Sequence, residues 1–240
     1  MDHNSSLAKS SADAASGDGR WVSNGVNQLE AIIFDADGTI LDTRELMYEA
    51  VKHTLTSHGY EMPRWEELVD FGGRPANETY AHFAPHHDSQ LLSDKHKEFQ
   101  MEHLDLFSAY EGLDDLVGSL KKFGLKIGIC TSRRKNVIDL INHLDIHHHF
   151  DGVVHADLIN NYKPHPEGLF MICKKLGVEP SRSVMVGDTE ADIGAGKAAG
   201  CAFTVGITHG IRTRDVLTEA GADYIVDHLN DILPLVTNKF

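Results

Sequence analysis

The 240-residue sequence lacks any long hydrophobic run, and this absence argues against an integral membrane protein. It has no stretch of roughly 18 or more apolar residues, so no membrane-spanning helix is expected. Residues 1–28 are rich in Ser, Ala, Gly, Asn and Asp, and they contain no apolar segment that resembles the centre of a secretory signal. This composition predicts a disordered leader ahead of the folded part of the chain.

Cysteine and positive charge are also scarce. The three cysteines, Cys130, Cys173 and Cys201, are an odd number, lie far apart and have apolar neighbours. Such cysteines are typical of reduced thiols in a cytoplasmic protein and do not indicate a disulfide framework. The 22 Lys and Arg against 36 Asp and Glu leave a formal net charge of −14, which disfavours nucleic-acid binding. A small anionic substrate is compatible with this charge if Lys and Arg are concentrated in one pocket.

Histidine, in contrast, is abundant, with 16 residues that include clusters at 86–87 and 147–149. A transition-metal site is the chemical interpretation of such clusters. Neither cluster has a carboxylate or thiolate at convincing ligand spacing, and both lie at predicted helix ends or turns. We therefore expect both clusters to lie on the surface.

Short apolar runs, rich in β-branched residues and with little alternation, predict strands that are buried on both faces. The predicted strands cover residues 31–36, 125–132, 152–156, 183–188 and 201–207, with a weaker one at 223–226. Segments with a helical repeat lie between the later strands, at residues 136–144, 166–176 and 191–199. Strands that alternate with helices predict the α/β class: a Rossmann-like parallel sheet with helices on both faces.

The first strand interrupts this alternation, because a long helical stretch separates it from the second. The predicted helices of this stretch cover residues 44–58, 65–71, 77–83 and 89–107. We interpret them as a small all-helical cap domain, residues 44–110, inserted into a core formed by residues 29–43 and 111–240.

Polar side chains follow several predicted strands at the point where each strand ends. They are Asp35, Asp37, Gly38 and Thr39 at the end of the first strand, Thr131, Ser132 and Arg133 at the end of the second, Lys163 in the loop after the third, and Asp188 at the end of the fourth with Asp192 four residues later. In a parallel α/β sheet, ligands bind outside the carboxyl ends of the strands, so we expect these side chains to lie close together.

These residue types fit phosphate-ester hydrolysis. Asp35 and Asp188 supply oxygen ligands for a hard cation such as Mg²⁺, which would screen the repulsion between a carboxylate nucleophile and a phosphate. Asp37 suits a general acid and base two residues from that nucleophile, and Gly38 permits the turn that aims it. Lys163 would neutralise further phosphate charge, and the Thr131 hydroxyl would donate to a phosphoryl oxygen.

The segments DADGTILD, ICTS, NYKPHP and VGDTEADIGAGKAAGC resemble, in order, the four motifs of the haloacid dehalogenase-like (HAD) phosphatase superfamily. The helical insertion is similar to the C1 cap of that family. The resemblance implies that Asp35 is the nucleophile, that Asp37 is the acid and base, and that Thr131 and Lys163 contact the phosphoryl group. It also implies a Mg²⁺ site formed by Asp35, the Asp37 backbone carbonyl and Asp188, with Asp192 in support.

Single positions separate the branches of this family. Asp37 argues against the dehalogenases, which resemble this motif but lack the second aspartate. The β-phosphoglucomutases keep both aspartates and are the alternative, but they typically carry a histidine where this chain has Met47. The whole pattern looks most like phosphoglycolate phosphatases and related pyrophosphatases. A HAD-like binding protein without catalysis is a further alternative, although such proteins usually lose one of the aspartates.

The substrate-binding residues complete the prediction. We expect a small phosphorylated metabolite as substrate, no nucleic-acid or membrane partner, and a monomer or homodimer. Gly38, Thr39, Ser132 and Arg133 are predicted to bind substrate, together with Arg74 in the cap loop 71–77. Arg74 suits a carboxylate or a second phosphate; the alternative is that it caps or solvates a helix end. His209 and Arg212, after the fifth strand, either border the pocket or lie on a surface loop.

Overall fold

The computed structural model describes residues 29–237 of the chain, so the predicted leader at 1–28 lies outside the described residues. Within this range a parallel sheet has the strand order β5-β4-β1-β6-β7-β8, and β2 pairs with β3 in a separate antiparallel ribbon. In chain order the strands are β1 Ala31–Phe34, β2 Leu41–Asp42, β3 Ser108–Ala109, β4 Lys126–Cys130, β5 Gly152–Val154, β6 Ser183–Gly187, β7 Phe203–Ile207 and β8 Tyr224–Val226. Every predicted strand is present, and each is slightly shorter than expected.

Strand β1 lies in the middle of the sheet, between β4 and β6, and both its faces are covered. All four of its residues are buried, and its neighbours are β4 and β6, with Ile32 opposite Ile127 on one side and Val184 on the other. An uninterrupted apolar strand is what a central parallel strand requires. The position of β1 therefore places whatever follows Phe34 at the middle of the sheet's carboxyl edge.

The helices form two layers on the sheet and a separate bundle. In chain order they are α1 Arg44–Ser57, α2 Trp65–Val69, α3 Ala76–Phe83, α4 Ser89–Glu102, α5 Leu113–Lys122, α6 Val137–His143, α7 Glu167–Leu176, α8 Glu190–Ala199, α9 Arg214–Glu219 and α10 Ile232–Thr237. Helices α5, α6 and α10 contribute their apolar side chains to the core on one face of the sheet. Helices α7 and α8 contribute to the core on the other face. The fold is the predicted Rossmann-like α/β architecture with helices on both faces.

Helices α1, α3 and α4 build a third hydrophobic cluster, apart from the two that cover the sheet. It consists of Val51, Leu55, Tyr80, Ala84 and Leu92. The chain leaves the sheet through β2 and returns through β3, and these two short strands pair with each other. The helical cap thus has a core of its own. The exact domain bounds, 44 and 110, stay a prediction.

One predicted helix is too long. The segment 89–107 forms helix only to Glu102, followed by a 3₁₀ turn at Leu104–Leu106 and then β3. Phe107 continues the apolar repeat of α4, but it is buried in the core on the sheet instead of in the cap. No helix among residues 29–237 is long and apolar enough to cross a membrane.

Candidate active site

The carboxyl edge of β1, β4 and β6 carries the predicted site residues. Asp35 directly follows β1, Thr131 directly follows β4 and Asp188 directly follows β6, and all three are buried. These strands are adjacent in the sheet, so residues separated by more than 50 positions along the chain meet at one edge. The loop that carries Lys163 reaches the same edge.

Asp35 lies at the bottom of the site and is 4% exposed. One of its oxygens, Oδ1, accepts a hydrogen bond from Lys163 Nζ at 2.7 Å. Burial raises the pKa of Asp35 to about 7, because the nearby ammonium of Lys163 only partly offsets the loss of water. The residue is therefore a carboxylate that needs more positive charge near it to stay ionised.

Lys163 is buried between two carboxylates. Its Nζ also lies 2.5 Å from Asp192 Oδ1 and 3.2 Å from the Cys130 carbonyl oxygen. Burial alone would lower the pKa of Lys163, but the charges of Asp192 and Asp35 raise it above its ordinary value. The ammonium therefore stays charged and has a fixed position.

Asp188 is 1% exposed and has hydrogen-bond donors on both oxygens. Thr39 Oγ1 donates to Oδ1 at 3.2 Å, and the Ile211 backbone N–H donates to Oδ2 at 2.9 Å. A side chain at Gly38 or at Gly210 would collide with this carboxylate, and Gly38 also has a positive φ of 75°. Backbone therefore encloses Asp188 at a distance that only glycine allows.

The carboxylates of Asp35, Asp188 and Asp192 are crowded together. Ligand oxygens of all three lie within 4.8 Å of one another, and each residue is buried. Burial, together with the charges of Asp192 and Asp35, raises the pKa of Asp188 well above its ordinary value. Lys163 is the cation bonded to these carboxylates, and its single positive charge does not balance them. Net negative charge therefore remains in a site removed from water. Oxygen ligands with surplus negative charge are what Mg²⁺ or another hard cation prefers.

Asp192 has no free oxygen in this group. Its Oδ1 accepts from Lys163, and its Oδ2 accepts from the Thr189 backbone N–H at 3.0 Å and from Thr189 Oγ1 at 2.5 Å. Thr189 and Asp192 together form a capping box at the start of α8. Asp192 therefore contacts the predicted metal site through Lys163 and the α8 terminus.

Asp37 is engaged by a guanidinium. Arg133 Nε lies 2.9 Å from Asp37 Oδ2 and its second nitrogen 2.5 Å from Oδ1, and Thr43 Oγ1 donates to Oδ1 at 2.7 Å. Burial would raise the pKa of Asp37, but Arg133 and Thr43 hold it below the ordinary value. Asp37 is therefore a carboxylate in this arrangement.

Arg133 connects this carboxylate to the cap. Its remaining nitrogen donates to Gln100 Oε1 on α4 at 2.6 Å, and Gln100 in turn lies 3.3 Å from Met47 Sδ on α1. Sequence reasoning did not identify Gln100, because a glutamine in a helix carries no motif signal. Arg133, which was predicted to bind substrate, thus faces Asp37, whereas the next residue, Arg134, donates to Gln90 Oε1 at 2.8 Å near the surface.

Two residues with hydroxyl groups, Thr131 and Ser132, follow β4 beside Asp35. Thr131 Oγ1 accepts from the Arg133 backbone N–H at 3.0 Å, and its own hydrogen is free to point elsewhere. Ser132 Oγ is buried and has no hydrogen-bond partner within residues 29–237. Both residues line the same cleft as Asp35 and Asp37. An unpaired buried hydroxyl beside that cleft is a donor available to a ligand.

The remaining residues that were predicted to contact substrate have protein partners in this structure. Thr39 points at Asp188, as described above. Arg74 lines the cleft but is 56% exposed, with one nitrogen 3.9 Å from Glu78 Oε2. His209 contacts the Thr39 carbonyl oxygen at 3.0 Å and stacks on Tyr110, and Arg212 pairs with Glu190 at 2.7 Å. These last two belong to the wall behind Asp188 and do not line the cleft.

The histidine clusters lie mostly on the surface, as predicted. His86, His87, His147 and His148 are exposed, and His149 is half-buried against Asp114 at 2.6 Å. The expectation that neither cluster has a carboxylate at ligand spacing is wrong for one of them, because ligand atoms of the exposed Asp145, His147 and His148 lie within 4.8 Å of one another.

Comparisons with known proteins identify the family of the chain. The family model described as haloacid dehalogenase-like hydrolase matches residues 32–205. A pyrophosphatase, PpaX, from Bacillus velezensis is 32% identical over 214 residues, which cover 88% of this chain and 98% of the relative.

Two solved structures share the architecture. A predicted phosphoglycolate phosphatase from Haemophilus somnus has a TM-score of 0.80 at 22% identity and covers 89% of this chain and 100% of its own, which supports the fold alone. A β-phosphoglucomutase from Clostridium difficile has a TM-score of 0.77 at 25% identity, covering 88% of this chain and 98% of its own. Because the family model spans most of the chain and agrees with these relatives, the chain belongs to the haloacid dehalogenase-like hydrolases.

Proposed function

We propose that this chain is a Mg²⁺-dependent phosphatase that hydrolyses a small phosphorylated metabolite through a covalent phosphoryl group on Asp35. The observation that carries the proposal is the buried meeting of Asp35, Asp188 and Lys163 at the carboxyl edge of the sheet. The relative named pyrophosphatase supports the same class of reaction.

Asp35, Asp188 and the Asp37 backbone carbonyl are the proposed Mg²⁺ ligands, with Asp192 in support through Lys163. Their fit rests on the oxygen donors and on the negative charge that Lys163 alone does not balance. A bound Mg²⁺ would offset the repulsion between the Asp35 carboxylate and the phosphate and would favour the ionised form of both aspartates.

In the first step a carboxylate oxygen of Asp35 attacks the phosphorus. The new bond joins Asp35 to the phosphoryl group, the bond to the leaving oxygen breaks, and Asp37 gives that oxygen a proton. The Lys163 ammonium, which lies 2.7 Å from Asp35, stabilises charge on the phosphoryl oxygens, and the Thr131 and Ser132 hydroxyls donate to them.

In the second step water attacks the phosphorus of the aspartyl phosphate. Asp37, now a carboxylate, takes a proton from that water, and Asp35 leaves as a carboxylate while orthophosphate is released. The ionised Asp37 held by Arg133 suits this step. The first step requires Asp37 in its protonated form: it must leave Arg133, take a proton from solvent and hydrogen-bond to the leaving oxygen, and the second step then restores that proton from water.

A phosphomutase is the second candidate, because a solved β-phosphoglucomutase is among the similar structures. Against it, Met47 lies beside Gln100 and Arg133 in the site and offers no proton to transfer. We also propose a cytoplasmic location, which the free cysteines Cys130, Cys173 and Cys201 support. A monomer or homodimer stays the predicted state.

Phosphate release from p-nitrophenyl phosphate tests the proposal. We expect turnover by the wild type with Mg²⁺, its loss with EDTA, its return on Mg²⁺ addition, and its loss in Asp35→Asn. Asp139→Asn, an exposed aspartate on α6, is the matched control and should keep wild-type activity. Turnover that survives Asp35→Asn would contradict the proposal. Interconversion of sugar phosphates with little phosphate release would indicate the mutase. A wild type without any activity would indicate a binding protein.

A further inference from the structure

The cleft above Asp35 continues deep into the cap. Asp35, Thr131 and Asp188 lie at its lower end, and residues of α1, α2, α3 and α4 line its upper part. An in-line displacement places the leaving oxygen opposite the nucleophile. A substrate whose phosphate sits on Asp35 therefore directs its leaving group into the cap.

One side of this upper part is apolar. The apolar side chains of its wall are those of Met47, Tyr48, Val51, Trp65, Leu68 and Val69 on α1 and α2, and polar residues of α3 and α4 line the opposite side. The rings of Tyr48 and Trp65 lie 6.2 Å apart, and Trp65 is 41% exposed although it is a large apolar side chain. An aromatic pair left open toward a cleft is a surface on which an apolar group would be removed from water.

Two ionisable groups deep in the cleft, His96 and Arg133, are neutral or paired. His96 Nδ1 lies 2.8 Å from the Tyr80 hydroxyl, and burial lowers the pKa of His96 to about 3, so it carries no charge. The guanidinium of Arg133 is bound to Asp37 and Gln100. An anionic leaving group would lose its water here without meeting an unpaired cation, which is unfavourable.

The other cations that line the cleft lie at its mouth. The side chains of Arg44, Arg74 and Arg134 are 48%, 56% and 38% exposed, and each has an acidic partner: Asp42, Glu78 and Asp157 respectively. Lys97 is exposed as well, and the described part of the chain gives it no acidic partner. These charges suit the attraction of a phosphate ester to the opening, where exposed pairs exchange easily.

We propose, building on the proposed phosphatase function, that the leaving group is an uncharged apolar alcohol of about one ring, aromatic or branched aliphatic. The whole cleft, including its lower end above Asp35, holds about 170 Å³. Because an apolar protein cavity of about 150 Å³ accepts benzene, the cap end has room for no more than about one ring. The preferred substrates are then phosphate monoesters of such alcohols, in contrast to pyrophosphate and carboxylated esters. Tyr48 and Trp65 are the residues that determine this specificity.

Steady-state kinetics on benzyl phosphate, phosphoglycolate and pyrophosphate tests the inference. The first two are both esters of primary alcohols, so they differ mainly in the charge and shape of the leaving group. For the wild type we expect kcat/KM for benzyl phosphate to exceed the other two by about tenfold or more, as removal of a ring from water predicts. A preference for phosphoglycolate or pyrophosphate would overturn the inference.

Variants show whether the apolar wall of the cleft or the cations at its mouth determine which ester is preferred. Tyr48→Ala and Trp65→Ala should lower kcat/KM for benzyl phosphate about tenfold more than for phosphoglycolate. Leu91→Ala is the matched control, because Leu91 is an exposed cap residue, 51% accessible, that does not line the cleft. An equal fall for both esters, or a selective loss of phosphoglycolate turnover in Arg74→Ala, would contradict the inference. If no ester is hydrolysed, or if hydrolysis survives Asp35→Asn, the phosphatase proposal itself fails.

Discussion

Arg133 binds both carboxylate oxygens of Asp37 and, through its third nitrogen, Gln100 of the cap. The guanidinium side chain is 6% exposed, so the pair is largely removed from water. One arginine thus joins the proposed acid and base of the core to helix α4. Arg133 is therefore a direct contact between the proposed acid and base and the cap.

A double-mutant cycle measures the strength of that pair. Because Asp37 is 28% exposed, we expect Arg133→Met to destabilise the protein by less than a fully buried pair would, about 2 kcal/mol. Asp37→Asn should remove part of that cost, with a coupling free energy of about 1–3 kcal/mol. Urea unfolding of the four proteins gives the coupling, and additive effects would show that the two side chains do not interact in solution.

Gly38→Ala tests the enclosure of Asp188. Both Gly38 and Gly124 have a positive φ, 75° and 80°, but only at Gly38 would a Cβ collide with a carboxylate, whereas Gly124 faces open space. The backbone strain of alanine is shared, at about 1 kcal/mol. We expect Gly38→Ala to cost clearly more stability than Gly124→Ala and to abolish phosphatase activity. Equal costs would refute the tight contact with Asp188.

If Asp188 is a metal ligand, addition of Mg²⁺ should reverse the order of stability of the wild type and Asp188→Asn. Without metal, Asp188→Asn should melt at a higher temperature than the wild type, because one of three crowded carboxylates loses its charge. With Mg²⁺ at about 100 times its Kd, the wild type should gain about 2.7 kcal/mol and the variant much less. Thermal melting with EDTA and with Mg²⁺ checks this. An unchanged order in both conditions would contradict the metal site.

His96 predicts how stability depends on pH. Its pKa is lowered from 6.5 to about 3 by burial and by the nearby Arg133 charge, so between these values the unfolded chain binds a proton that the folded chain does not. Stability should therefore fall as pH falls below 6.5, by up to about 1.4 kcal/mol per pH unit. The groups around His96 are Tyr80, Arg133 and Asp37.

Urea unfolding between pH 7 and pH 4 isolates this effect when wild type is compared with His96→Gln. The wild type should lose stability more steeply, so the difference between the two shrinks as pH falls. His53→Gln, an exposed histidine of the same cap, should follow the wild-type slope. Parallel curves for wild type and His96→Gln would show that His96 is not the responsible group.

The sheet and the edge that carries Asp35, Thr131 and Asp188 could be predicted from the sequence. Buried parallel strands are continuous apolar runs, and the topology of the sheet brings their ends together. Two helices were missed. Helix α5, with Leu113, Leu116, Val117 and Leu120 buried, has a clear helical repeat within the stretch between the first two long strands, and α9 is short.

Contacts between cap and core could not be predicted, because they depend on how two modules pack. No local pattern separates Arg133 from Arg134, yet one binds Asp37 and the other lies near the surface. For the same reason the extent of α4 was overestimated, since Phe107 fits its repeat but packs against the sheet. The contact of Thr39 with Asp188 likewise depends on the turn around Gly38.

The nature of the intermediate is the most direct test of the mechanism. With p-nitrophenyl phosphate, whose leaving oxygen needs no proton, Asp37→Asn should still transfer the phosphoryl group to Asp35 but should not activate water against it, so the phosphorylated enzyme should accumulate after an acid quench. Peptide mass spectrometry should then find the phosphoryl group on Asp35, and Asp35→Asn combined with Asp37→Asn should carry none. A phosphoryl group on another residue such as Ser132, or rapid turnover without any covalent adduct, would contradict nucleophilic catalysis by Asp35.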